Sequence, residues 1–143
     1  MTATTTIADF IARNGLLLTA TRAKSNPALT NDGWQADHWE CRITDAGHNK
    51  PAMVIPFSCG TGRRVNGVAQ PPTLADVLGC LASDSASVEN SQSFDDWCAD
   101  FGYDTDSRKA ERTYNACKGQ AAALRTLLGD TEYETLLWNV ERL

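Results

Sequence analysis

The chain reads as an α+β domain: a short N-terminal helix, a three-stranded antiparallel sheet, and a C-terminal set of about four helices packed on it. Three observations predict this. Apolar residues alternate with a two-residue period in segments between residues 16 and 59, the mark of half-buried strands. From Thr73 onward they recur instead at steps of three and four, and a capping sequence precedes each run. The 143 residues are 42% hydrophobic and 22% charged, which suits one globular domain with a β-rich half over 1–72 and a helical half over 73–143.

The first helix is expected over 5–14, TTIADFIARN. Thr5 or Thr6 can cap it, Gly15 can end it, and Ile7, Phe10 and Ile11 share a face. Leu16–Ala23 is the first strand. A polar connector, Ser25–Gly33, leads to a second strand over Trp34–Thr44, in which Trp39, Cys41 and Ile43 alternate with His38, Glu40 and Arg42. The loop Asp45–Lys50 turns into a third strand, Pro51–Cys59, with Met53, Ile55, Phe57 and Cys59 on one face. Pro56 cannot donate to a ladder, so its strand belongs at an edge or a bulge. The simplest topology is a meander. Gly60–Pro72 is then a long Gly-rich loop closing the β half.

In the helical half, Thr73 and Asp76 form a capping box ahead of Leu74, Val77, Leu78 and Leu81, and this helix should fade near Ser85–Val88. Ser93 and Asp96 repeat the box, with Phe94, Trp97, Cys98 and Phe101 facing the core and Gly102 as the stop. Asp104 or Asp106 can cap the longest helix. Along it Ala110, Tyr114, Cys117, Ala121, Leu124 and Leu128 follow steps of 4, 3, 4, 3, 4 until Gly129. Thr131 and Glu134 suggest a last capping box, with Tyr133, Leu136, Leu137 and Val140 inward.

Net charge is −5, unevenly placed. Residues 1–72 carry seven Lys/Arg against five Asp/Glu, and residues 73–143 carry six against thirteen. Between Ser83 and Ser107 stand seven acids and no Lys or Arg. Asp95, Asp96, Asp100, Asp104 and Asp106 are the candidate partner-binding residues. Asp95 and Asp100 lead, since neither is needed to start a helix. Such a face suits a basic partner and disfavours direct contact with DNA or RNA.

Motifs for catalysis or metal binding fail on spacing. Gly60, Gly62, Arg63 and Arg64 could form an anion-binding loop, but the run lacks the Gly-Lys-Ser/Thr of a phosphate loop and the third glycine of a dinucleotide fingerprint. His38, His48, Asp37 and Cys41 have no second ligand cluster at zinc spacing. Asp100, Asp104 and Asp106 lack the glycine and terminal Glu of a calcium loop. Five cysteines, an odd number without a C-x-x-C pair, read as reduced and mostly buried thiols. Met1–Thr6 is polar, and no stretch approaches the ~20 apolar residues of a membrane span. The expectation is a cytoplasmic, non-enzymatic protein with no cofactor, no bound metal and no membrane partner.

The segments ADVLGCLASD at 75–84 and SFDDWCADFGYDTDSRKAERTYNAC at 93–117, with HWECRI at 38–43 and VIPFSCGTG at 54–62, resemble a family of small phage- and prophage-encoded proteins of unassigned activity. The resemblance implies action in the cytosol of a bacterial host. It also implies inhibition of a host defence complex, such as a CRISPR effector or a restriction enzyme, in the manner of an anti-CRISPR. The partner would be a host protein or ribonucleoprotein with a basic surface. Two alternatives accompany this reading: a nucleotide- or small-ligand-binding module built on the Arg63/Arg64 loop, and a structural or accessory phage protein, for which a homodimer through the Ala110–Leu128 stripe would serve.

Overall fold

The computed structural model describes residues 5–22, 37–45, 53–59, 64–66 and 68–141. In chain order they form β1 (Thr5–Thr6), α1 (Ile7–Asn14), β2 (Leu16–Arg22), β3 (Asp37–Asp45), β4 (Met53–Cys59), β5 (Arg64–Val65), β6 (Val68–Ala69), α2 (Leu74–Glu89), α3 (Phe94–Phe101), α4 (Arg108–Leu128), α5 (Asp130–Trp138) and β7 (Val140–Glu141). The α+β class, the leading helix and the four following helices are those expected.

The main sheet is the antiparallel meander β2-β3-β4. Its alternation translates directly into burial. Leu16, Trp39, Cys41, Ile43, Met53 and Ile55 enter the core, whereas Leu17, Glu40, Arg42 and Val54 face outward. β4 lies at an edge, with Pro56 opposite Glu40, where a missing N–H is tolerated. The Gly-rich segment after it is not one continuous loop. Arg64 pairs with Ala69 and Val65 with Val68 in a small hairpin, with Asn66 at φ 51°. An Asn-Gly dipeptide between two valines is a hairpin signal in its own right.

Two cap expectations hold. Thr6 Oγ1 accepts from the Asp9 N–H at 3.1 Å, and Gly15 ends α1 at φ 63°. Thr73 and Asp76 close both bonds of a capping box, 3.2 and 3.1 Å. α2 does not fade at Ser85–Val88 but continues to Glu89. The reason is tertiary: Ser85 is buried, and Glu89 accepts a 2.8 Å bond from the Tyr133 hydroxyl. Arg125 completes this knot, 3.4 Å from Glu89 and 4.6 Å above the Tyr133 ring. Burial and Glu89 push the Tyr133 phenol up to about 12, so it stays a donor.

Two caps differ from expectation. α4 is capped by Ser107, whose Oγ accepts from the Ala110 N–H at 3.2 Å, and not by Asp104 or Asp106. A turn that bonds the Ser107 N–H to the Asp104 carbonyl at 3.1 Å places the first helical residue beyond both aspartates. α5 begins at Asp130 with no side-chain cap, so Thr131 lies inside its first turn and not ahead of it. Gly129 both ends α4 and starts α5, at φ 85° and ψ 162°. That backbone region is essentially restricted to glycine.

The two ends of the described chain meet. β1 runs parallel to β7, Thr5 opposite Val140, and the Thr5 N–H donates to the Asn139 carbonyl at 3.0 Å. Val140 is therefore buried as a strand residue and not as part of the last helix. Next to this seam α1 is pinned to α5. Arg13 Nη2 and Asn14 Nδ2 donate to Glu132 Oε2 at 2.8 and 2.7 Å. Burial alone would raise the Glu132 carboxyl, but the Asn14 amide and Arg13 guanidinium outweigh it and hold it below the ordinary value.

One large core joins α1, the sheet, α2, α4 and α5 around Phe10, Ile43, Leu78, Leu81, Leu124, Tyr133 and Leu136. A small second core under α3 holds Trp97, Cys98 and Ala110.

Two stability predictions follow from these contacts. Glu132→Gln should cost about 1 kcal/mol at neutral pH in denaturant melts. Because the folded-state carboxyl is depressed, its contribution is present above the unfolded value and lost as pH falls through the folded one. The gap from wild type should therefore shrink as pH falls below the ordinary glutamate value, and an undiminished gap would refute a charge-based role. Gly129→Ala should cost about 1–3 kcal/mol through backbone strain alone, since its Cβ would meet nothing within 4 Å.

Candidate functional site

The site is built on α3, an eight-residue helix too short to persist by itself. Ser93 Oγ accepts from the Asp96 N–H at 3.2 Å at one end. At the other, Gly102 adopts φ 75° and the Tyr103 N–H closes on the Cys98 carbonyl at 2.9 Å. What holds α3 down is Trp97. Its indole lies 5.1 Å from Tyr103, nearly parallel at 6°, and meets Phe101 and Tyr114 at 5.4 Å each. Its Nε1 donates to Ser87 Oγ on α2 at 3.2 Å, and Ser87 in turn donates to the Asp84 carbonyl at 2.6 Å. One residue thus ties α3 to α2 and α4.

Asp95, Asp96, Asp100, Asp104 and Asp106 all lie exposed on α3 and the turn after it. None of their carboxylates has a hydrogen-bond or ion-pair partner among the described residues. Phe101 is not core, as its spacing suggested, but 52% exposed. Gly102 ends the helix one residue later, and the ring stays at the rim beside Trp97.

Phe101 borders a cleft of about 620 Å³ among α2, α3, α4 and α5. Trp97, Tyr103 and Trp138 supply further aromatic lining, and Trp138 is 49% exposed. Trp138 Nε1 is anchored to Glu134 at 3.1 Å. Asp84 is the one charged residue among the described residues that line this space. Its carboxylate is partly buried, has no partner among the described residues, and is pushed up by that burial. Asp84 also borders a second groove along Ile7 and Gly79, whose described lining has no aromatic residue.

The thiols here are suppressed, not primed. Burial raises Cys117, and the Asp84 carboxylate raises it further against a smaller opposing effect of Ser87. Burial likewise raises Cys98, reinforced by Asp95 and then Asp104. Neither supplies a thiolate nucleophile at neutral pH.

Other residues singled out in the sequence lie elsewhere. Gly60, Gly62 and Arg63 fall outside the described residues, as does His48, and Arg64 opens the β5–β6 hairpin. The described residues contain no group of three or more His, Cys, Asp or Glu arranged for a metal ion. No helix among them is long and apolar enough to cross a membrane. The Ala110–Leu128 stripe is spent on the chain's own cores: Ala110, Cys117, Ala121, Leu124 and Leu128 are all buried. A homodimer would have to use another face.

No family model, curated protein or solved structure matches the chain. The site therefore rests on its own geometry. Sequence reasoning missed two of its members. Asp84 is one acid among seven until the fold lays it against an aromatic wall. Trp138 carries no periodic signal, because it stands outside the inward set of α5.

The raised Asp84 carboxyl makes a testable statement. The folded chain holds the proton more tightly than the unfolded one, so stability falls as pH rises from the unfolded value through the folded one, and the cost then stays constant. Asp84→Asn should raise Tm by about 1–3 °C at neutral pH, and the gain should vanish near about pH 3. A lower Tm at neutral pH would show that the carboxylate has a stabilising partner instead.

Proposed function

We propose that the chain is a non-enzymatic interaction protein that docks on a basic surface of a host protein or ribonucleoprotein. The observation that carries this reading is the set of five exposed carboxylates on α3 and its following turn, without partners among the described residues and adjoining two half-exposed aromatic residues, Phe101 and Trp138. Carboxylates without internal partners are available to steer association, and exposed aromatics at their edge supply the apolar contact that charge alone lacks. Nucleic acid is a poor occupant of the same face, since phosphates would be repelled.

Combined with the resemblance to small phage- and prophage-encoded proteins, the reading becomes an inhibitor of a bacterial defence complex acting in the host cytoplasm. A CRISPR effector fits the required chemistry, because its nucleic-acid channel is basic and an acidic surface can occupy it in place of phosphates. The class of partner comes from charge, and the assignment to defence comes from the resemblance.

The test uses Asp100→Lys, Asp104→Lys and Asp106→Lys together, positions that neither cap a helix nor lie in a first helical turn. The variant should fold, lose about 10–100-fold in affinity for the purified effector, and show a flatter dependence of binding on salt. Phage plating on CRISPR-proficient cells that express each form reads the same effect in vivo. Inhibition that survives the triple reversal unchanged would refute the acidic docking face.

A further inference from the structure

We propose that the cleft among α2, α3 and α5 receives an arginine side chain of the protein partner. This deepens the docking reading above and rests on it. The first argument is charge. Asp84 is a partly buried carboxylate with no partner among the described residues, and no Lys or Arg is among the described residues that line the cleft. Filling the cleft with an apolar side chain would complete the burial of an unpaired charge, which is costly. A cation removes that cost.

The second argument is the wall. Phe101 and Trp138, each about half exposed, line the space together with Trp97 and Tyr103. Aromatic faces attract cations through their quadrupole, and a guanidinium, being planar and weakly hydrated, stacks on them better than an ammonium does. The third is the donor count. A guanidinium carries five N–H donors, more than one carboxylate can take up. The cleft has polar residues beyond Asp84 that can accept: Ser83 and Asn90 also line it. Ser87 is already engaged, accepting from Trp97 and donating to the Asp84 carbonyl. Finally, most of the described lining comes from Ser83–Ser107, a segment with seven acids and no bases, so a basic loop is drawn towards the cleft and an anionic ligand is turned away.

The test is a two-dimensional NMR titration that follows the indole N–H signals of Trp97 and Trp138, with buried Trp39 as the internal control. The probe is N-acetyl-arginine amide. N-acetyl-citrulline amide, of the same shape without charge, and N-acetyl-lysine amide are the comparisons. The arginine amide should shift Trp97 and Trp138 with a Kd on the order of millimolar, as expected of a single side chain. Citrulline amide should shift neither, and lysine amide should bind more weakly. Asp84→Asn should weaken the arginine amide about tenfold or more, and Phe101→Ala, a change at an exposed position, should weaken it without unfolding the chain. Equal responses to arginine and citrulline amides, equal responses to arginine and lysine amides, or an Asp84→Asn variant that binds as wild type would each overturn the assignment.

Binding to the effector separates this proposal from the docking reading. If the Asp100/Asp104/Asp106 reversal abolishes inhibition and Asp84→Asn leaves it intact, docking stands and the arginine pocket falls. If neither change affects inhibition, docking falls and the partner's arginine falls with it. Loss of inhibition in both supports the pocket.

Discussion

Trp97 donates to Ser87, stacks on Tyr103 and meets Tyr114 at an edge, so a single indole touches α2, the turn after α3 and α4. α3 has no long apolar face of its own. Only Trp97 and Cys98 are fully buried along it, with Phe94 half-buried against Tyr114. The position of the acidic face therefore depends on this one anchor. The same anchor defines the cleft: with α3 fixed by Trp97, Phe101, the last residue of the helix, stays half exposed and becomes a wall instead of core.

The division into two cores explains how a small chain carries an open cleft without losing stability. The large core closes independently of α3, through α1, the sheet, α2, α4 and α5. Its polar fastenings, Arg13–Glu132 and Glu89–Tyr133–Arg125, tie α1 to α5 and α2 to α4 and α5. The satellite core under α3 then attaches through Val88, which packs against both clusters. Rigid helices supply the floor of the cleft, and a short, separately anchored helix supplies one side. Such a split places the site at the low-stability end of the molecule, where contacts are few and surface chemistry can vary at little cost to the frame.

How much of this was legible depended on whether the signal was local. The alternation within each strand, the Thr73 capping box and the Ser93 cap rest on residues within four positions of one another, and the sequence displays all three. The long-range features were hidden. Pairing of Thr5 with Val140 joins opposite ends of the chain, and no local pattern announces a two-residue parallel strand. α2 outlasts its apolar stripe because Tyr133, 44 residues away, holds Glu89. Asp104 and Asp106 looked like caps because aspartate is a good cap, yet Ser107 is equally good and lies one residue closer to the helix. The carboxylates of the site were visible as composition. The cleft was not, because Asp84, Phe101 and Trp138 come from three helices and meet only after folding.

The choice of caps bears on function. Thr6, Thr73, Ser93 and Ser107 satisfy the first N–H groups of four helices with hydroxyls, so the aspartates of the α3 segment are not consumed in starting helices. Among them, Asp95 and Asp96 are accounted for by the fold: they lie in the first turn of α3, where the helix dipole favours negative charge. Asp100 is not. It lies in the last turn of the same helix, where the dipole opposes it and where no base is present. Asp104 and Asp106 stand in a turn that their side chains do not stabilise, and Asp84 is desolvated without a partner among the described residues. Stability explains the first pair and is indifferent or opposed to the other four. A charge that the fold does not need, set beside a cleft it does not fill, is the kind of feature that a partner explains. Asp84, Asp100, Asp104 and Asp106 therefore form the part of the acidic run in which a binding role is most sharply separated from a structural one.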